Sequence, residues 1–155
     1  MKLRIVAVGR LRTGPEAELI SDYLQRCERA GRNLGFSSVS VEEVEARKSG
    51  TAAEAPLLLK AIGQGAKICA LDERGQIMSS PDFAKLLENW RDQGHSEAVF
   101  VIGGADGLSR DIKQAADKTL SLGKMVWPHM LARVMLSEQL YRAVSILSGS
   151  PYHRT

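Results

Sequence analysis

With 155 residues, 44% of them hydrophobic and 25% charged, the chain has the size and balance of one globular domain, able to bury roughly 70% of its unfolded surface without disulfides or a metal. Its 21 Lys and Arg against 18 Asp and Glu leave a formal charge of +3, which tolerates a nucleic-acid partner without demanding one, and an aromatic content of 5% argues against an extended base-stacking platform. No apolar run approaches the eighteen or so residues of a membrane span, and Met1 to Gly9 reads as a strand rather than a signal peptide, so a cytoplasmic protein without a membrane partner is expected.

Short β-rich runs alternate with helical stretches, the pattern of an α/β domain with a mostly parallel sheet flanked by helices. The first strand is expected at Leu3 to Val8 and is ended by Gly9. After a loop through Gly14 and Pro15, a helix is predicted from Glu16 to about Arg32, with Leu19, Ile20, Tyr23, Leu24 and Cys27 on one stripe. Val39, Val41 and Val44 mark a second strand, followed by a helix around Ala52 to Gln64. Pro56 argues against that helix unless it falls in the first turn. The third strand, Lys67 to Leu71, is expected to stop at Asp72, and Ser80-Pro81-Asp82 to open a helix that runs to about Gln93, with Gly94 as its stop.

Ala98 to Ile102 is apolar at every position, as a central parallel strand covered on both faces must be. Ser109 is a plausible N-cap for a helix from Arg110 to about Lys118, and Thr119 to Leu122 is a weaker strand. A long helix follows Trp127-Pro128-His129 and runs to about Leu147. Leu136, Leu140, Val144 and Leu147 line one side of it, and Leu131, Val134 and Met135 line much of the other. A helix apolar on two sides needs two covers: its own sheet and, in so small a domain, a second subunit. Glu138 and Arg142, four residues apart, can pair on it, as a structural ion pair or as part of a site. Cys27 and Cys69 are expected to be small buried hydrophobes, and no cysteine or histidine spacing fits a metal site.

Three segments are candidates for function. Gly103 and Gly104 follow the buried strand in Ile102-Gly103-Gly104-Ala105-Asp106-Gly107-Leu108-Ser109, where a glycine turn lets a ligand approach the backbone at the carboxyl end of a strand. A tight turn with no ligand would use the same residues. The phosphate-binding G-K-[ST] is missing, and the spacing is not G-x-G-x-x-G, which disfavours both common nucleotide motifs. The loop Leu120 to His129 combines apolar side chains with free backbone groups, suited either to an adenine ring or to plugging a core. Finally His129, Arg133 and Arg142, with the closing Tyr152-His153-Arg154 stiffened by Pro151, supply imidazole, guanidinium and a stacking ring.

In this order, these segments resemble the SPOUT methyltransferases, most closely the bacterial large-subunit ribosomal RNA methyltransferase H family. The likeness extends from Leu3-Arg4-Ile5-Val6-Ala7-Val8-Gly9 through Ala70-Leu71-Asp72, the segment Val101 to Leu108, Pro128-His129-Met130-Leu131-Ala132-Arg133-Val134 and Glu138-Gln139-Leu140-Tyr141-Arg142-Ala143 to Pro151-Tyr152-His153-Arg154. The resemblance implies a single SPOUT domain over residues 1–155 with a C-terminal trefoil knot, and a homodimer whose two chains complete one RNA site. It also implies S-adenosylmethionine as cofactor, lined by Leu71, Gly103, Leu122, Gly123, Lys124, Met125, Val126 and Trp127. The implied reaction is methylation of N3 of a pseudouridine in 23S rRNA of the assembled 70S ribosome. His129 or His153 would help with the proton or place the base, Arg142 and Arg154 would steer phosphates or stabilise the imide anion, and Tyr152 would stack on the nucleotide. Arg133 would serve RNA or structure. The alternative is a non-catalytic RNA-binding module that keeps the fold without the chemistry.

Overall fold

The structure is a computed structural model, and residues 1–154 are described. Five strands form one sheet: β1 Lys2–Val8, β2 Ser38–Val44, β3 Lys67–Ile77, β4 Glu97–Ile102 and β5 Lys118–Ser121. Their order is β2-β1-β4-β3-β5 and every paired neighbour runs parallel, so all strand carboxyl ends lie on one edge. Five helices connect and cover them: α1 Pro15–Gly31, α2 Thr51–Ile62, α3 Ser80–Asp92, α4 Arg110–Ala115 and α5 His129–Ser148.

Period-two alternation splits the buried strand residues between two cores. Leu3, Ile5, Cys69, Phe100 and Ile102 face a larger cluster with Ile20, Leu24, Phe83, Leu87, Leu136 and Leu140 from α1, α3 and α5. Val6, Val8, Ala70, Val99 and Val101 face a smaller one with Leu58, Ile62 and Ile112 from α2 and α4. β4 is apolar on both faces, as expected, because helices cover each side, and β1 beside it is buried in the same way. Cys27 and Cys69 are buried free thiols, and burial pushes both up to about 12.

Three expectations are corrected. Helix α2 continues through Pro56. The carbonyl that the ring crowds is that of Ala52, in the helix's own first turn, while Ala55, Leu58 and Ile62 bury the helix against the sheet and outweigh the lost hydrogen bond. Helix α4 stops at Ala115, and Lys118 already pairs with Cys69 in β5. Strand β3 does not end at Asp72: its pairing with β5 breaks after Leu71 and resumes at Gln76, so residues 72–75 bulge from the ladder. Gly75 makes the return possible, since a Cβ there would lie 2.8 Å from the backbone of Leu120.

The caps are close to their expected places. Ser109 Oγ accepts from Ile112 N–H, and α3 is capped by Ser79, whose Oγ accepts from Asp82 N–H. On α5, Leu136, Leu140 and Val144 are fully buried against the core, whereas Leu131 is 39% exposed. The second apolar side of α5 is therefore left in part without a cover in the described residues. No helix of the described residues is long and apolar enough to cross a membrane.

A candidate cofactor cleft and a docked tail

At the carboxyl edge of the sheet, the bulge within β3 and the turns after β4 and β5 surround one cavity of about 760 Å³. Ligand clefts for molecules of cofactor size fall in the range of about 300–1,000 Å³. Its walls include Leu71, Gly103, Leu122, Gly123, Met125, Val126, Trp127 and His129. Seven of the eight residues expected to line a cofactor thus come together. Lys124 is exposed in the same loop, between the lining residues Gly123 and Met125.

Local structure explains each wall. Gly107 N–H donates to the Gly104 carbonyl at 3.0 Å, closing a turn in which Gly107 has φ +77. Gly103 is held against the far limb of that turn, where any Cβ would overlap the Gly107 carbonyl. Glu54, 6% exposed at the start of α2, abuts Gly104 from behind, and its Oε1 has no hydrogen-bond partner. On the β5 side, the buried Ser121 hydroxyl shares its single proton between the carbonyls of Gly123 (2.8 Å) and Glu73 (3.2 Å) and accepts from Gly123 N–H. One side chain therefore ties the bulge within β3 to the loop after β5. Met125 and Val126, 73% and 77% exposed, form an apolar lip.

The bulge also delivers Asp72, Glu73 and Arg74 to the cavity wall, which sequence reasoning missed. The available signal was a charged run ending in Gly75, where a strand was expected simply to stop. Lys113 pairs with Asp72 at 3.4 Å across this wall.

The tail folds back onto its own helix. Glu138 Oε1 accepts from Arg142 Nη2 (2.6 Å) and from the Tyr152 hydroxyl (2.9 Å), and Arg142 Nη1 lies 3.1 Å from His153 Nδ1. The Arg142 guanidinium stacks 4.7 Å from the Tyr152 ring centroid, whose other neighbour is Tyr141 at 4.6 Å. Burial and the bond to Glu138 raise the Tyr152 phenol above its ordinary range, so it stays a neutral donor. The bond to Glu138 raises Arg142 despite its partial burial. Arg154 is exposed beside this cluster.

His129 is not part of the cluster. It begins α5 at the cavity rim, thirteen residues before Arg142, or about 20 Å along a helix axis. The structure therefore separates the expected site residues into two groups at opposite ends of one helix. Arg133 has a structural place: only 2% exposed, it donates to Glu43 (2.6 Å) and to the carbonyls of Val8 (3.3 Å) and Gly9 (3.1 Å). Between α1, α3 and α5 lies a second cavity of about 460 Å³, lined by Leu19, Ile77, Phe83, Val134 and Met135 and sharing Leu120 to Gly123 with the first. Among the described residues no group of three His, Cys, Asp or Glu is placed to hold a metal.

A parallel sheet with a glycine turn and an apolar loop enclosing one cleft at its carboxyl edge has the form of a SPOUT-class methyltransferase, and a family profile described as predicted SPOUT methyltransferase matches residues 1–153. Among solved structures, a probable methyltransferase from Bordetella pertussis shares the fold at 15% identity with a TM-score of 0.53, covering 92% of this chain and 93% of that one. A probable methylase family protein from Haemophilus influenzae does so at 12% identity and TM-score 0.53, covering 99% and 70%. Ribosomal RNA large subunit methyltransferase H of Dinoroseobacter shibae is 63% identical over 155 residues, and its counterpart in a Ruegeria species 59%, each alignment covering 99% of both chains. The chain belongs to the ribosomal RNA large subunit methyltransferase H family.

Proposed function

We propose that this protein transfers a methyl group from S-adenosylmethionine to N3 of a pseudouridine in 23S rRNA of the assembled ribosome, acting in the cytoplasm as a homodimer. One observation carries the proposal: the glycine turn after β4 and the loop before Pro128, distant in sequence, line one cleft of suitable size with backbone groups and an apolar lip. Free backbone N–H and C=O groups can read an adenine edge while the apolar side chains cover its faces. The names of the relatives supply the substrate class, and the C-terminal trefoil knot implied by the resemblance is part of the same proposal.

The separation along α5 supports the dimer. The tail cluster lies about 20 Å along α5 from His129 at the cleft rim, so the tail of one chain can serve the cleft of a second. The exposed Leu131 and the lips Met125 and Val126 are apolar surface that such an arrangement would cover. A protein that stays monomeric in sedimentation at working concentration would remove this part of the proposal.

Bound S-adenosylmethionine supplies a methyl group on a sulfonium, open to in-line displacement. The chain's task is to hold N3 at about 3 to 3.5 Å from that methyl and to take up or tolerate the loss of the N3 proton. His129 at the rim, or His153 of the incoming tail, stands where a proton can be received or the base placed. Arg142 and Arg154 stabilise the imide anion or hold phosphates, and Tyr152 offers its ring to the nucleotide. Glu138 fixes Arg142 and Tyr152 in one orientation before RNA arrives, so less ordering remains to be done on binding.

Mass spectrometry of 23S rRNA from cells with and without the gene tests the proposal, with loss of one methyl on a pseudouridine as the expected difference. Identical modification patterns in the two cell lines would refute it. Titration with S-adenosylmethionine should show binding, and its failure would leave a non-catalytic RNA module. For the tail, single Ala variants of Arg142, Tyr152, His153 and Arg154 are each expected to slow methylation, by roughly 10²-fold where the group handles the proton, with cofactor affinity nearly unchanged. Normal turnover in all four would discard the tail assignment.

A further inference from the structure

We infer that the loops after β1 and β2, residues 9–14 and 45–50, form a phosphate-binding track that seats the RNA backbone beside the cleft, with Arg12, Arg47 and Lys48 making the contacts. The inference rests on the rRNA substrate proposed above and adds a surface to it. The two loops hold Arg10, Arg12, Arg47 and Lys48 against Glu45 alone, a surplus of three charges that equals the formal +3 of the whole chain. Elsewhere, cations and anions balance in number.

The three acids at the end of β2 do not quench the surplus, because each already has a partner. Glu42 binds Arg4 at 2.7 Å, Glu43 binds Arg133 and the Leu11 N–H at 2.6 and 2.7 Å, and Glu45 takes Arg10 at 3.1 Å. Arg12, Arg47 and Lys48 are exposed, and among the described residues no acid lies within ion-pair distance of them. Three cations on loops, free of partners and standing out into water, suit a polyanion, and they bind phosphates without regard to base.

Position decides what the track serves. β1 and β2 are parallel to β3, β4 and β5, so these loops leave the same edge of the sheet as the cofactor cleft. The two loops are joined by the Arg10 to Glu45 pair and by Gly9 N–H donating to the Val44 carbonyl at 2.8 Å. They are fastened to the cleft by α5: Arg133 holds the Val8 and Gly9 carbonyls, and Met130 Cε lies 3.3 Å from where a Cβ on Gly9 would be. His129, on the cleft rim, precedes Met130 directly.

The test uses the full-length protein and assembled ribosomes from cells lacking the gene. In the triple variant Arg12→Glu, Arg47→Glu, Lys48→Glu, the expected result is a KM for ribosomes at least tenfold higher, a loss carried by KM rather than kcat, with S-adenosylmethionine affinity unchanged. The slope of log K against log salt should become shallower by about two to three, at roughly 0.7 to 0.9 per phosphate contact. Arg12→Lys with Arg47→Lys should retain binding, since charge and not packing is at work, and Arg29→Glu with Lys60→Glu, at the opposite edge of the sheet, should bind as the native protein does. Native affinity and salt slope in the triple variant, or an equal loss in the opposite-edge variant, would overturn the track. Native protein that binds ribosomes through these residues yet transfers no methyl would instead overturn the catalytic proposal and leave the track standing.

Discussion

Gly103→Ala is expected to weaken S-adenosylmethionine binding by roughly 10- to 100-fold, which isothermal titration would read directly. The added Cβ would overlap the Gly107 carbonyl oxygen, lie 2.5 Å from its carbon and stand 3.1 Å from the Leu108 nitrogen. All three are backbone atoms, so no side chain can swing away. Overpacking of this kind costs about 1–3 kcal/mol, and the cheapest relief is to push the Gly104 to Gly107 turn out of its closed form, which deforms the cleft wall. At about 1.4 kcal/mol per factor of ten, the strain converts into the stated loss. Gly63→Ala is a suitable control, because an added Cβ there meets nothing within 4 Å, its strain comes only from a positive φ that Gly103 does not have, and it lies at the far end of α2. Its effect should be confined to stability. Cofactor affinity in Gly103→Ala within twofold of native would show that the turn does not shape the site.

Arg133→Met is expected to cost about 3–5 kcal/mol of stability, a large part of the roughly 5–15 kcal/mol that holds a domain together. Methionine fills much of the space but donates no hydrogen bond. It strands the Val8 and Gly9 carbonyls and the Glu43 carboxylate. Glu43 retains the Leu11 N–H and some contact with water, so the carbonyls account for most of the penalty. A lowered urea midpoint with an unchanged slope is the expected signature. Adding Glu43→Gln should recover part of the loss, because the stranded charge is then gone. A midpoint equal to that of the native protein would mean that Arg133 does not fasten the end of β1. Cofactor affinity should fall as well, since the same bonds set where α5 begins and hence where His129 and the apolar lip stand.

Most of the elements were legible in the sequence because their signals are local. Ala98 to Ile102 had to be a covered central strand, and Ser109 had to look like a cap. The motifs from Leu3 to Arg154 pointed to the family that the profile and the relatives bear out. Arg133 could not be assigned from sequence, since an arginine one turn from His129 looks the same whether it faces RNA or a pair of carbonyls. The bulge after Leu71 was hidden for a similar reason. A charged run after a strand usually means that the strand has ended, and only pairing with β5 shows that it resumes at Gln76.

The sequence by itself determined the α/β class, the apolar faces of each element and the residue types around the cleft, because hydrophobic periodicity, glycine placement and capping act over a few residues. Tertiary structure alone decided which of those residues share a wall. It set β3 between β4 and β5, turned Asp72 to Arg74 into the cleft, folded Tyr152 back onto Glu138 and left His129 about 20 Å away along α5. Such contacts join positions from 14 residues apart, as Tyr152 and Glu138 are, to 49 apart, as Leu71 and Leu120 are, and their geometry follows from packing the whole sheet against its helices, which no local pattern encodes.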